Sequence, residues 1–170
     1  MKTLMIGFCA VMLALPIVRA GAAPSPPQPD ASMTFEKLKS LVGKWEAPLP
    51  KNEVMTDVFR LIGSGTAILH EEWKGGEQLT ATVFYVVDSQ LRADHYCDLG
   101  NQLHYIARSS ADATVVAFEL SNGSNLDTHP RHFHSTVWHL IDANHHTQDW
   151  ELMGANGQST TIRMEFTRKK

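Results

Sequence analysis

Residues 80–102 read TATVFYVVDSQLRADHYCDLGNQ. Two β-rich runs, 78–87 and 91–97, follow one another with three residues between them, which predicts adjacent antiparallel strands. Successive side chains on a strand point to opposite faces. In the second run Leu91, Ala93, His95 and Cys97 share one face, and Arg92, Asp94, Tyr96 and Asp98 share the other. The charged set belongs in water, so His95 and Cys97 are expected to point inward. A DLGN turn at 98–101 then reverses the chain.

The same grammar extends in both directions. Runs at 44–47, 54–61, 66–73, 103–108, 114–120, 132–141, 145–152 and 160–167 bring the total to ten. GSG, KGGE, SNGSN, DAN and GANG punctuate them. Short connections pair sequential strands as a meander, and about ten strands protect their edges best by closing. The fold expected is therefore all-β, an antiparallel up-and-down barrel wide enough to hold a small ligand. Ahead of it MTFEKLKSLVG has apolar residues at Phe35, Leu38 and Leu41 or Val42, which predicts one short helix capped by Ser32 and stopped by Gly43. Alternation sends His146, Gln148, Trp150 and Leu152 inward from the ninth run, and Ile162, Met164 and Phe166 from the tenth. In the eighth, the face carrying His132, His134, Thr136 and Trp138 is the expected inner one.

The chain opens MKTLMIGFCAVMLALPIVRAGAA, a lysine, an apolar run and then small residues, which predicts a secretory signal peptide over residues 1–22. Cleavage fits after Ala20 or after Ala22. APSPPQPDA at 23–31 reads as an extended proline-rich tether, leaving a barrel domain at 32–170. Removal of residues 1–22 takes Lys2 and Arg19, so 13 basic side chains face 18 acidic ones, a net charge of −5. Such a chain carries no footprint for nucleic acid, and after processing no segment is long enough for an integral membrane helix. Cleavage also leaves Cys97 as the sole thiol in an oxidising compartment, the periplasm being the expected one, and no intramolecular disulfide can form.

Gly43, Lys44 and Trp45 form a G-x-W after a short helix, similar to the way lipocalins and related calycins begin. The HYC strand end followed by GNQ, with the His132, Phe133, His134 element and VWHLIDANHHTQDWEL downstream, resembles a family of uncharacterised secreted bacterial proteins with a calycin-like barrel. The resemblance spans about residues 36–167. It implies a fold and a pocket, and no established activity. The chain departs from the family where Leu103, His104 and Tyr105 follow GNQ in place of a proline and a basic residue.

The candidate ligand-binding residues are His95, Cys97, Asn101, Gln102, His132, His134 and Trp138, with the two amides as hydrogen-bond groups at the barrel mouth and the histidines as orienting groups. The partner expected is an apolar or amphipathic small molecule, and this reading requires no cofactor. A rival reading is an enzyme that depends on a metal or haem. H-x-H on a strand sets two imidazoles about 7 Å apart on one face, and His132 and His134 with His95 and a Cys97 thiolate would supply a His3Cys set. Covalent catalysis at Cys97 would need an oriented base. No G-x-S-x-G, H-E-x-x-H or phosphate-loop motif is present. Of Glu71 and Glu72, alternation lets only one face inward.

Overall fold

The computed structural model describes residues 30–110 and 112–170. The signal-peptide and most of the tether lie outside the described residues. A helix, α1 (Ala31–Lys39), precedes ten strands: β1 (Gly43–Pro48), β2 (Val54–Ile62), β3 (Ala67–Lys74), β4 (Glu77–Val87), β5 (Gln90–Cys97), β6 (Gln102–Arg108), β7 (Val115–Ser124), β8 (His132–Leu140), β9 (His145–Met153) and β10 (Ser159–Lys169). Each strand pairs antiparallel with its sequence neighbours, and β1 pairs with β10 to close the barrel. The all-β expectation holds strand for strand, with boundaries that move by a few residues.

The helix is capped two residues earlier than the sequence suggests. Asp30, not Ser32, is the cap: its Oδ1 accepts from the amides of Ser32 (2.9 Å) and Met33 (3.3 Å). A carboxylate does this better than a hydroxyl because it also faces the positive end of the helix dipole. The helix ends at Lys39, and Gly43 belongs to β1 rather than to a helix stop. Ala31, Phe35, Leu38 and Leu41 are buried against one end of the barrel and seal it.

The G-x-W motif has a mechanical explanation at this sealed end. Gly43 has φ +133°, and a Cβ there would stand 2.8 Å from Arg168 Nη1. That clearance lets the Arg168 guanidinium reach the carbonyls of Val42 (2.8 Å), Ser40 (2.6 Å) and Ala143 (2.7 Å) while lying 4.0 Å over the Trp45 ring. Trp45 in turn donates its indole N–H to the Leu41 carbonyl at 2.7 Å. One arginine thus satisfies carbonyls left open where α1 ends and locks the β1–β10 closure beside them.

Inside, the lumen is layered. At the sealed end Trp45, Phe59, Phe84, Phe118, Trp138 and Phe166 fill it completely. Their rings meet edge-on or tilted, as in Phe84–Trp138 (5.3 Å, 77°) and Phe84–Phe118 (5.4 Å, 46°). Arg168→Ala should lower stability by about 2 kcal/mol in urea denaturation, with Arg168→Lys recovering less than half because an ammonium cannot reach three carbonyls in one plane. Equal stability of the lysine variant and the parent would contradict this account of closure.

Candidate functional site

The opposite end of the barrel stays open. A cavity of about 410 Å³ runs inward from the mouth, within the size range of small-molecule sites. Its walls are Met55, Leu79, Leu99, Phe133, Trp150, Leu152, Ile162 and Met164; Lys74, Asp98 and Arg131 stand at the rim, and Glu72, Thr80 and His95 lie deeper. Most of these positions come from strand ends or turns on the side away from α1, with Trp150 and Met164 reaching in from the middle of β9 and β10. Ile162 keeps 38% of its surface exposed and Val54 beside the same rim 42%, so the lip itself is apolar.

At the foot of the cavity lies a buried polar layer, of which Glu72 and His95 reach the cavity itself. Asp57 from β2 and His70 and Glu72 from β3 are buried, and so are His95 from β5 and His146 and Gln148 from β9. Gln148 holds the layer together: its Nε2 donates to Asp57 Oδ2 (2.8 Å) and lies 3.2 Å from His146 Nε2, while its Oε1 accepts from the Trp150 indole (2.9 Å). Thr80 donates to Glu72 Oε2 at 2.5 Å, and Thr82 shares a 2.7 Å hydrogen bond with His95 Nδ1. His70 Nε2 sits 2.9 Å from Asp57 Oδ2 but off the line that a hydrogen bond requires, so that contact is an electrostatic one. Asp57 Oδ1, His70 Nδ1, His95 Nε2 and His146 Nδ1 have no partner among the described residues.

The charges follow from this enclosure. Burial, reinforced by the negative Asp57, pushes the Glu72 carboxyl up to about 7. Burial opposes a charge on His70 too, but Asp57, Glu72 and Glu71 outweigh it and hold that imidazole above its ordinary range. His95 and His146 have no carboxylate of their own; burial, with the His70 charge added, takes each down to about 3.

The residues singled out from sequence are brought only partly together. His95 reaches the cavity. Cys97 is half-buried with its thiol 3.5 Å from Asp98 Oδ1, and burial raises it to about 12, so it is a thiol at neutral pH and not the thiolate that ligation or nucleophilic attack needs. Asn101 is a staple: its Nδ2 donates to the carbonyls of His129 (3.2 Å) and Arg131 (2.9 Å), tying the 98–101 turn to the 125–131 loop. Gly100 (φ +90°) makes room for this, since a Cβ there would lie 2.7 Å from the His129 ring. Gln102 alternates with inward Leu103 and faces outward, half-buried.

The eighth strand differs from simple alternation. Thr136 and Trp138 do point inward, but the register slips between Phe133 and Ser135. A bulge there turns Phe133 into the cavity and leaves His132 and His134 on the outer face, their rings 5.7 Å apart and His132 Nδ1 2.7 Å from the Pro130 carbonyl. The four-residue set of His95, Cys97, His132 and His134 is therefore not assembled. Trp138 sits in the packed aromatic floor, its indole donating to Thr136 Oγ1 at 2.8 Å, and Trp150 takes the place at the cavity wall.

Sequence reasoning missed Asp57 and His70. The signal was present in alternation, which puts His70 between inward Ile68 and Glu72, and Asp57 two residues before inward Phe59.

No protein-family model and no curated protein sequence matches the chain. Solved structures similar in fold include the following two. One is Rv2717c from M. tuberculosis, with TM-score 0.59, 14% identity and coverage of 85% of this chain and 100% of the other. The second is a protein of unknown function from the DUF3598 family of Nostoc punctiforme PCC 73102, with TM-score 0.51, 12% identity and coverage of 87% of this chain. The chain spans about half of that second protein, 53% of its length. At these identities the likeness is one of fold. Among the described residues no helix is long and apolar enough to cross a membrane, which says nothing of strands.

The neutral histidines carry a sign for acid stability. An unfolded imidazole takes up a proton below about 6.5, whereas these rings stay neutral down to about 3. Each therefore costs stability as pH falls through that window. Glu72 and His70 act in the opposite sense, being more protonated when folded, so the comparison must isolate one ring. His146→Phe keeps the stack on Phe166 (4.9 Å, 8°). Its stability relative to the parent should improve by roughly 2–3 kcal/mol between about pH 7 and about pH 4.5 in urea denaturation. A difference independent of pH would show that the buried ring does not stay neutral.

Proposed function

We propose that this chain is a secreted, periplasmic small-molecule-binding barrel, related to the uncharacterised calycin-like bacterial family that its HYC and GNQ elements resemble. The observation that carries the reading is the half-filled lumen: aromatic packing stops midway, and the remaining space opens to solvent through an apolar lip with a few polar groups below. Apolar walls with sparse convergent polar groups suit a ligand that is mostly apolar with one polar end. His95 Nε2, unpartnered, and Glu72 are placed to orient that end, and Trp150 supplies a flat surface to stack on. Lys74, Arg131 and Asp98 give the rim charges of both signs, so the exposed end of the ligand meets a polar edge.

Secretion rests on the leader pattern of residues 1–22 and is checked directly. Protein collected from the periplasm or medium should give an N-terminal sequence beginning GAAPS or APSPP, according to cleavage after Ala20 or Ala22. A chain found only in the cytoplasm, with Met1 intact, would sink the secreted assignment.

Ligand binding is tested with 1-anilinonaphthalene-8-sulfonate, an apolar anion that brightens in a dry pocket and accepts energy from Trp150. Met164→Trp fills the cavity from β10 and should weaken the probe about 10-fold or more, while Ile141→Ala, at an exposed position at the sealed end, should leave it unchanged. Equal binding by the parent and the filled variant would place the probe elsewhere and remove the support for this pocket.

A further inference from the structure

Asp57, His70 and Glu72 form a group of a different kind from the rest of the lumen. One donor atom from each lies within 4.8 Å of the other two, all three side chains are buried, and they sit immediately beneath the cavity that Glu72 lines. We propose that they bind a divalent transition-metal ion of the zinc or manganese type, with its open coordination position toward the cavity.

The first argument is charge. Two carboxylates enclosed in a barrel are costly unless something positive joins them. Among the described residues neither forms an ion pair with a lysine or an arginine; His70 against Asp57 is the one cationic contact available. A single imidazolium offsets one of the two charges. A divalent ion offsets both and leaves a neutral site.

The second argument is direction. The two ring nitrogens of His70 and Oδ1 of Asp57 are buried without a well-formed hydrogen bond. Buried polar atoms are nearly always partnered, so Asp57 Oδ1 and the one His70 ring nitrogen that can face the same point, in its unprotonated form, indicate an absent partner that accepts lone pairs. The opposite oxygens are already fixed, Asp57 Oδ2 by the Gln148 amide and Glu72 Oε2 by the Thr80 hydroxyl. Such outer contacts orient carboxylates for a metal.

The third argument is the donor set. One imidazole and two carboxylates suit a borderline or hard divalent ion at about 2.0–2.2 Å from each ligand, and do not suit copper(I), which prefers sulfur. Calcium would ask for six or more oxygens, and this enclosed site has no such number. The floor of the lumen below is aromatic, so the remaining coordination position opens upward, where a carboxylate or carbonyl on a cavity ligand would meet it. The metal site does not depend on the small-molecule reading, since the ion alone is the probe.

The test uses the untagged full-length secreted chain, stripped with chelator and titrated calorimetrically with Zn²⁺, Mn²⁺ and Co²⁺. The expected result is one equivalent per chain. Glu72→Gln, which keeps the shape and the Thr80 contact, should weaken it about 100-fold or more, and Gln148→Leu about 10-fold. A His132→Ala, His134→Ala double variant should bind as the parent does. Because a lumen variant can fail to fold, the Co²⁺ complex of the parent gives an independent reading: its visible spectrum should show nitrogen and oxygen ligation only. A thiolate-to-cobalt charge-transfer band would place the ion at Cys97 and overturn the proposal. So would the absence of saturable one-equivalent binding by a chain with native circular dichroism, or binding that survives Glu72→Gln and disappears in the double histidine variant.

Discussion

The pairing of β1 with β10 sets the terms for everything inside the molecule. Once ten strands close, the lumen has a fixed width, and side chains on the inner face have nowhere to go but toward one another. Six aromatic rings are enough to fill one half of it. They do so at the end where α1 and the Arg168 clamp already exclude water. The other half receives smaller or more slender side chains, Leu79, Leu152, Ile162 and Met164 among them, and the space they leave is the cavity. Closure therefore creates both the core and the absence of core, and the boundary between them is where the polar layer lies.

That boundary is electrostatically unusual. Hydrogen bonding in it is uneven: Thr82 bonds one ring nitrogen of His95 and Gln148 one oxygen of Asp57, and the other His95 nitrogen and Asp57 Oδ1 are left bare. A purely structural network would be expected to use up its donors and acceptors, since each bare buried group costs stability. The bare groups are the ones that the proposed ion and ligand would engage.

Much of this was legible from alternation. The inward faces of β5, β9 and β10 follow directly from where charged residues must go, and His95, His146, Gln148 and Trp150 are where that rule puts them. Turn composition marked the strand ends, including the 98–101 turn whose Asp98 and Leu99 line the mouth. Alternation failed at His134 because a bulge changes the period without changing the composition: the residues on either side remain β-formers, and only pairing with β9 reveals the slip. The polar layer was illegible for another reason. Asp57 and His70 each sit in a strand that carries other polar residues, and what makes them matter is that pairing sets Asp57 opposite Glu72 and brings His70, one inward position away, to 2.9 Å from its carboxylate. The histidine-rich segment downstream was conspicuous in composition, yet most of its imidazoles face water.

The bulge in β8 has a mechanical effect on the wall. Pairing between β7 and β8 runs from Val115 opposite His139 to Glu119 opposite Ser135 and stops there. Toward the mouth the two strands diverge, and the interval is spanned by side chains reaching main-chain carbonyls: Tyr105 to Phe133 at 2.7 Å, and Asn101 to His129 and Arg131. A ladder resists shear cooperatively, because each bond aligns the next; isolated side-chain bonds yield one at a time. The ladder thus stops short of the opening along two lines, here and between β1 and β10, where pairing covers only Lys44, Trp45 and Glu46 against Lys169, Arg168 and Thr167, so the wall around the opening is least stiff along those two lines.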